Sequence, residues 1–487
     1  MEGYFGTNTM RLLLEKYKKI PIGAKASLWY AICNILQKGI SFIVIPIYTR
    51  VLTTTEYGQY SVFNSWLNIL IIFATLNLYC GVFTKAMVDY NDDRDRYTSC
   101  MQGLSTLLTA GLFIVYIIKN EFWNSILDMS TLTVLLMFMY FVFYPGMTFW
   151  SVRQRVEYKY KGMVIVTLLV SVVTPVFSLI LLFCSALRAD AVICGYLISQ
   201  SLAGAFFYIY NFVRGKTFFV KEYWVHGLKF NIPLIPHYLS LIILGQSDRI
   251  MISKYCGTDK TAIYNLAYQV SMLMNIFIAA INNSLVPWTY EKLRVKDYSS
   301  LKKVCNNLCI VVAIMTVGAI LVAPELVSIL GTKEYLEAIW VIPAVSISVY
   351  FTFCYGLFSN VEFYFSATKF VMIASATGAF LNIILNYIFI PIYGFIAAGY
   401  TTLFCYLVFM IMHFVFMRHV CNKQIDGELV FDIKFILVSC AVISVIGGMC
   451  MAMYHNTSIR YTMIALGCGI CIILRKRIVG IIKQIRK

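Results

Sequence analysis

Asp248 and Arg249 are adjacent inside an apolar run, IPLIPHYLSLIILGQSDRIMISKY, and Lys38 lies midway along another, residues 26–50. A charge at the centre of a bilayer costs about 2.5–3.5 kcal/mol on insertion scales, so each of these three needs compensation from water, an opposite charge, hydrogen bonds or a ligand. Lys38 is too deep for its stem to reach an interface comfortably, and its own span contains no acidic residue. Two environments suit it: water or an anionic ligand on one side, or a carboxylate or carbonyls of another helix on the other. Asp248 and Arg249 lie nearer the outer end of their span. Neighbours on a helix point about 100° apart, so the two do not simply neutralise each other. Arg249 is expected to reach the outer headgroups or a carboxylate on another helix. Asp248 shares a helix face with His237, about three turns away. That face is suited either to carrying protons, because a buried Asp and a His can both titrate near neutral pH, or to a structural ion pair.

Uncharged polar residues follow the same geometry, since positions 4, 7 and 11 apart share a helix face. Ser27, Asn34, Lys38, Ser41 and Thr49 form one stripe; Ser61, Asn64, Asn68 and Thr75 a second; Ser271, Asn275 and Asn282 a third; Ser375, Asn382 and Asn386 a fourth. Such stripes either tie helices together, at about 0.6 kcal/mol per contact, or line a hydrated cavity. The candidate cavity residues are Lys38, Asn34, Ser41, Asn64, Asn68, Asn275, Asn382 and Asn386. The coupling or gating candidates are His237, Asp248 and Arg249.

The elements that position these side chains are membrane helices. The chain has 487 residues, 60% hydrophobic and 13% charged, against about 25% charged for an ordinary soluble domain. Apolar runs long enough to cross a ~30 Å hydrocarbon core recur near 26–50, 59–82, 98–118, 130–150, 162–183, 190–212, 230–253, 262–288, 303–323, 336–358, 369–390, 394–417, 433–453 and 459–474. The expected fold is an all-α polytopic membrane protein of about fourteen transmembrane helices, without a soluble domain or a cleaved signal peptide. With a cytoplasmic N-terminus, most of the 40 Lys and Arg fall in cytoplasmic segments, as the positive-inside rule requires. That distribution absorbs most of the net charge of +17 and removes the reason to expect a nucleic-acid partner. Both termini are then cytoplasmic. The 15 cysteines are scattered. Cys468 and Cys471 form a CxxC inside the last span without partner His or Cys nearby, so neither a metal nor a redox site is expected. The outer loops, the longest near 324–335, leave no room for a catalytic domain.

The chain also repeats. At an offset of 204 residues, Arg50 meets Lys254, Tyr60 meets Tyr264, Ser171 meets Ser375, Ser178 meets Asn382, and Gly195-Tyr196 meets Gly399-Tyr400. Arg50 and Lys254 form an outer-end basic pair of the repeat. Six spans per repeat is an even number, so both halves insert in the same orientation, related by a parallel pseudo-two-fold axis along the membrane normal. The expected organisation is a cytoplasmic segment at 1–25, a six-helix lobe at 26–213, a linker at 214–229, a second six-helix lobe at 230–417, two further helices within 418–474 and a basic tail at 475–487. A substrate path would lie between the lobes. Pro46, Pro233 and Pro236 are expected to bend the leading helices of the two lobes.

Three stretches carry a family resemblance. NILQKGISFIVIPIYTRVLTTTEYGQYSVFNSW (34–66), IPLIPHYLSLIILGQSDRIMISKYCGTDKTAIYNLAY (232–268) and LNIILNYIFIPIYGFIAAGYTT (381–402) occur in the order seen in the polysaccharide and O-antigen flippases. The chain resembles that family of the multidrug/oligosaccharidyl-lipid/polysaccharide exporter (MOP) superfamily across most of residues 26–417. The resemblance implies a MATE-like fold of two V-shaped lobes. It also implies translocation of an oligosaccharide linked to undecaprenyl pyrophosphate across the plasma membrane, for capsule, O-antigen or exopolysaccharide synthesis. Lys38 matches a cationic cavity position of the family, and Arg249 the arginine of its DR pair. The implied partners are the lipid-linked oligosaccharide, the bilayer, and the polymerase and glycosyltransferases of the same pathway. No cofactor is implied beyond H+ or Na+ coupling. A cation-coupled multidrug exporter of the same superfamily should offer anionic residues in the first lobe, where the spans hold no Asp or Glu beyond Asp190 at the very edge of 190–212. A lipid II flippase shares the pyrophosphate and stays open as an alternative cargo. A polymerase or glycosyltransferase would need an acid–base constellation that the loops do not supply, so the chain reads as a transporter and not an enzyme.

Overall fold

The structure, a computed structural model, describes residues 20–467 and residue 469. Among the described residues there are eighteen numbered α-helices and no β-strand. They are α1 (Ile22–Val51), α2 (Thr54–Thr75), α3 (Val82–Asp89), α4 (Arg94–Ile118), α5 (Asn120–Leu127), α6 (Thr131–Val156), α7 (Tyr160–Cys184), α8 (Ala189–Gly215), α9 (Lys221–Asn231), α10 (Ile235–Cys256), α11 (Thr258–Met272), α12 (Met274–Arg294), α13 (Tyr298–Leu321), α14 (Ala323–Leu330), α15 (Ile342–Tyr364), α16 (Thr368–Tyr393), α17 (Ile396–Gln424) and α18 (Ile433–Ala452). Helices are the expected solution, because hydrocarbon offers no partners to backbone N–H and C=O groups and a helix satisfies them internally.

Twelve helical segments among the described residues are long and apolar enough to cross a membrane. They coincide with twelve of the expected spans. A thirteenth, α2, is 22 residues long but carries the polar stripe of the second span, which leaves it outside that apolar set. The fourteenth begins as helix at 457 and continues to the edge of the described residues. The rest of that span, with Cys471 and the basic tail, lies outside them, as does most of the segment 1–25.

Several connections are more structured than the sequence implies. The expected linker 214–229 contains most of α9, which ends at a 3-10 turn over Ile232–Leu234. Pro233 sits in that turn and Pro236 in the first turn of α10. These two prolines separate helices rather than bend one, because a first-turn proline loses no intrahelical bond. Pro46 does lie inside α1. The outer loop near 324–335 holds α14 and a 3-10 segment, Lys333–Trp340.

By packing, the chain forms two compact units, one running up to Val44 and through Phe73–Pro233, the other comprising Ile45–Ile72 and Leu234 onward. The last turns of α1 and nearly all of α2 therefore pack with the second unit. In the first unit α6 and α7 pack on α8, and α4 on α6; in the second, α15 and α16 pack on α17, and α13 on α15. The same pairing scheme recurs at the repeat offset. The first unit's core includes Phe83, Tyr97, Met101 and Phe149. That of the second includes Val304, Tyr350, Cys354 and Ile436.

The family-like turn at 50–58 has a structural explanation within the second unit. Thr53 and Glu56 form a reciprocal cap: the Thr53 N–H donates to Glu56 Oε2 at 2.8 Å, and the Glu56 N–H to Thr53 Oγ1 at 3.2 Å. This capping box starts α2. Arg50 donates to the carbonyls of Pro46 at 2.9 Å and Ile329 at 2.7 Å, placing a cation at the C-terminal end of α14, where the helix dipole favours it. Gly58 meets the start of α11 so closely that a Cβ there would lie 1.7 Å from the Thr258 carbonyl oxygen.

Candidate functional site

Asp248 is fully buried on α10 in the second unit. Its carboxylate accepts from Asn386 Nδ2 at 2.6 Å and from Thr402 Oγ1 at 2.9 Å, and Tyr264 donates a short hydrogen bond to the same oxygen as Thr402. These donors come from α16, α17 and α11. Behind them lies a second ring. Asn382 Nδ2 donates to Thr402, Ser247 donates to Asn382 Oδ1 at 2.9 Å, Asn386 Nδ2 also reaches Asn382 Oδ1, and Thr401 donates to Asn386 Oδ1. Asp248 is thus a buried carboxylate held entirely by neutral donors, and hydrogen bonds to the charged form are what make such burial tolerable.

Arg249, 4% exposed, faces a different set of groups. Its Nε donates to Asn265 Oδ1 at 2.9 Å and one terminal nitrogen to the Gly245 carbonyl at 2.7 Å. The guanidinium lies over the Tyr268 ring, 4.3 Å from its centroid. Asn265 in turn donates to the Tyr57 hydroxyl at 3.4 Å, which ties α2 to the cluster. The expectation that Arg249 reaches headgroups or another helix's carboxylate is overturned: an amide, a carbonyl and an aromatic face satisfy it inside the unit. The ion pair weighed for Asp248 is absent as well. Among the described residues neither charge has an ion-pair partner.

The helix face shared by His237 and Asp248, read from the sequence, meets the Ser375, Asn382 and Asn386 stripe here, and Ser247 joins it. His237, Ser247 and Asp248 on α10 face Ser375, Asn382 and Asn386 on α16, one rung each. The His237 rung is a hydrogen bond between Nδ1 and the Ser375 hydroxyl at 2.9 Å. In the first unit the repeat partner of Ser375, Ser171, accepts from Gln37 of α1 at 3.1 Å. Each leading helix therefore bonds the same serine of its repeat. His237 is half-buried and does not touch the Asp248 cluster.

The other candidates lie elsewhere. Lys38, Asn34 and Ser41 are exposed along α1, and Lys38 has no ion-pair partner among the described residues. Ser41 bonds only the Gln37 carbonyl one turn back. Asn64 and Asn68, half-buried, donate to the carbonyls of Tyr60 and Asn64. Asn275, half-buried, donates to the Met272 sulfur at 2.8 Å. Lys254 is exposed. Asn382 and Asn386, expected beside a cavity, are wholly buried against Asp248. Between α16 and α17 lies an apolar groove of about 600 Å³, lined by Leu385, Phe389, Tyr393, Ile396, Tyr400 and Phe404, with Thr401 on its wall.

Sequence reasoning missed the partners Tyr264, Asn265, Tyr268, Thr401 and Thr402. Tyr264 carried a signal, as the repeat partner of Tyr60; the others carried none. It also missed Glu362 and His413, a buried pair joining α15 and α17.

Comparison with known proteins agrees with this architecture. Residues 24–292 match the family model for polysaccharide biosynthesis proteins, and residues 233–388 match the MatE model. An uncharacterized membrane protein of Haemophilus influenzae is 25% identical over 365 residues, 71% of this chain and 85% of that one. A shorter match, 40% identical over 70 residues, joins the chain to a protein of the Lsg locus of the same organism but spans only 17% of that protein. The fold is similar to the lipid II flippase MurJ in an inward closed conformation, with TM-score 0.65 and 16% identity over 93% of this chain and 99% of that one. It is also similar to an inward-facing MATE family multidrug resistance transporter, with TM-score 0.59 and 14% identity over 81% and 96%. With the family model covering more than half its length, this chain belongs to the polysaccharide biosynthesis protein family.

Proposed function

We propose that the chain flips an oligosaccharide repeat unit linked to undecaprenyl pyrophosphate across the bacterial plasma membrane. The cargo would serve capsule, O-antigen or exopolysaccharide synthesis. The observation that carries this reading is Lys38: a lysine midway along a spanning helix, exposed, without an ion pair among the described residues, and flanked on its face by Asn34 and Ser41. A pyrophosphate with sugars cannot cross hydrocarbon unaided, because each polar group would lose its hydration. A cation with amide and hydroxyl neighbours replaces that hydration, and the polyprenyl tail stays in apolar surroundings, for which the groove between α16 and α17 is suited. Alternating access of the two repeats moves the head group. Asp248 is the candidate for coupling to H+ or Na+, since its carboxylate has only neutral donors to hold it. A polymerase and glycosyltransferases of the same pathway are the expected partners, and both termini are expected in the cytoplasm.

The test uses inverted membrane vesicles containing the protein and a labelled undecaprenyl-pyrophosphate oligosaccharide supplied outside. Protection of the label in the lumen is followed for the wild type and for Lys38→Ala, beside a cationic dye. Protein-dependent protection that falls at least about tenfold in Lys38→Ala, equivalent to about 1.4 kcal/mol, is the expected result. Accumulation of the dye without the lipid-linked sugar would replace this reading with drug export.

A further inference from the structure

The second unit holds another buried acid–base pair, remote from Asp248. Glu362 lies in the last turn of α15 and His413 in the second half of α17. Nδ1 of His413 is 3.0 Å from one carboxylate oxygen of Glu362 and 3.2 Å from the other. The two side chains are 1% and 0% exposed for His413 and Glu362 respectively. The imidazole stacks on Tyr355, with centroids 5.2 Å apart and planes 19° apart, and meets the Phe409 ring nearly at right angles. Its other nitrogen, Nε2, is buried without a hydrogen-bond partner among the described residues. His413 follows Thr402, a ligand of Asp248, by eleven positions on α17, which at the helical rise is about 16 Å.

Two charge states compete at this pair. With the proton of a neutral imidazole on Nδ1, facing the carboxylate, that hydrogen bond is made, the Nε2 lone pair stays unpaired, and the pair carries a net negative charge in an apolar core. An uncompensated buried charge is strongly unfavourable. A proton added at Nε2 forms an N–H bond there, converts the imidazole to imidazolium and makes the pair neutral. It also leaves the new N–H without an acceptor, which has its own, smaller cost. The orphaned atom is therefore the one at which the proton arrives and from which it leaves. A water molecule at Nε2 would pair with that atom in either state and supply the route by which the proton comes and goes.

We infer that Glu362 and His413 form a proton-binding site of the second unit, which exchanges one proton at His413 Nε2, taken from and returned to water that reaches that atom. Among the described residues the electrostatic partner of Glu362 is His413. The other titratable groups around the pair are Tyr355 on α15, Tyr406 on α17, Tyr268 on α11 (which acts on Tyr406), Tyr290 on α12 (which meets Tyr364) and His237 on α10, which interacts electrostatically with His413. From α13, α16 and α18 no Asp, Glu, Lys or Arg contacts the pair among the described residues. The two histidines lie at corresponding levels of α10 and α17, each eleven positions from the Asp248 cluster. The site does not depend on which cargo the protein moves.

The test is solid-state NMR of the full chain labelled with 15N-histidine and reconstituted in lipid bilayers. The chain has five histidines, and His413→Gln assigns the signal of interest. The expected result is a single step across the titration, in which His413 Nε2 changes from an unprotonated to a protonated nitrogen as the pH falls. In Glu362→Gln that step should move by about one pH unit or more, or leave the range. A His413 Nε2 of one type throughout the wild-type titration would overturn the proposal. So would a step identical in wild type and Glu362→Gln. If Glu362→Gln does not fold, Glu362→Asp replaces it, and the wild-type titration decides by itself.

Discussion

Asp248 and Arg249 are consecutive in sequence, yet they are satisfied by different neighbours for a geometric reason. A turn of about 100° per residue points the carboxylate at α16 and α17, where Tyr264 of α11 also reaches it, and the guanidinium at Asn265 and Tyr268 of α11. The charges act on each other through space without sharing a hydrogen bond. Their satisfaction therefore depends on neutral groups, and the structure indicates what removing each should cost. Tyr264→Phe takes one of three donors from a buried carboxylate, with an expected loss of about 1–3 kcal/mol. Arg249→Lys keeps the charge but loses the planar fork that reaches Asn265 and Gly245 while lying over Tyr268, with an expected loss of about 1–3 kcal/mol. Thermal unfolding of the purified variants in detergent reads both. A wild-type midpoint in Arg249→Lys would mean that charge alone, and not the shape of the guanidinium, holds the site.

At the scale of elements, the family-like motifs turn out to be joints. The Thr53–Glu56 capping box begins α2, and Gly58 allows α11 to start against it. Gly394, at φ +72°, ends α16 and hands the chain to α17 within two residues; the left-handed region is open to glycine at little steric cost. These joints differ in what they tolerate. Thr53→Ala removes one cap and should cost about 0.5–2 kcal/mol. Gly58→Ala needs the two backbones to separate, because the new Cβ meets a carbonyl oxygen that cannot rotate away. It should destabilise the protein by more than Thr53→Ala, in the same melting assay. Equal midpoints for the two would argue that α2 and α11 do not approach so closely.

For the whole molecule, the orientation in the membrane is the property that the charge distribution proposes. Cys184, at the end of α7, is exposed and falls in an expected outer loop. A membrane-impermeant maleimide should label it in spheroplasts, and Cys184→Ser should lower that signal to what Cys256, half-buried in another expected outer loop, contributes. A cysteine placed at Lys296, in an expected inner loop, should react only after the membrane is opened. Labelling of Lys296→Cys in closed spheroplasts would reverse the topology.

Hydrophobicity and charge, read along the chain, determined the number and placement of the membrane helices, their repeat and the polar stripes on their faces. Each of these follows from local properties: run length against bilayer thickness, and the period of the helix. Tertiary structure alone decided which stripes meet. His237, Ser247 and Asp248 could have faced water, lipid or another helix; packing set them against Ser375, Asn382 and Asn386. The same packing moved Asn382 and Asn386 from an expected cavity wall into a buried cage, and closed Arg249 in with Asn265 and Tyr268. Glu362 and His413 show why this was out of reach of the sequence. Their pairing joins two helices across 51 positions, and no local spacing encodes which distant carboxylate a buried histidine will find.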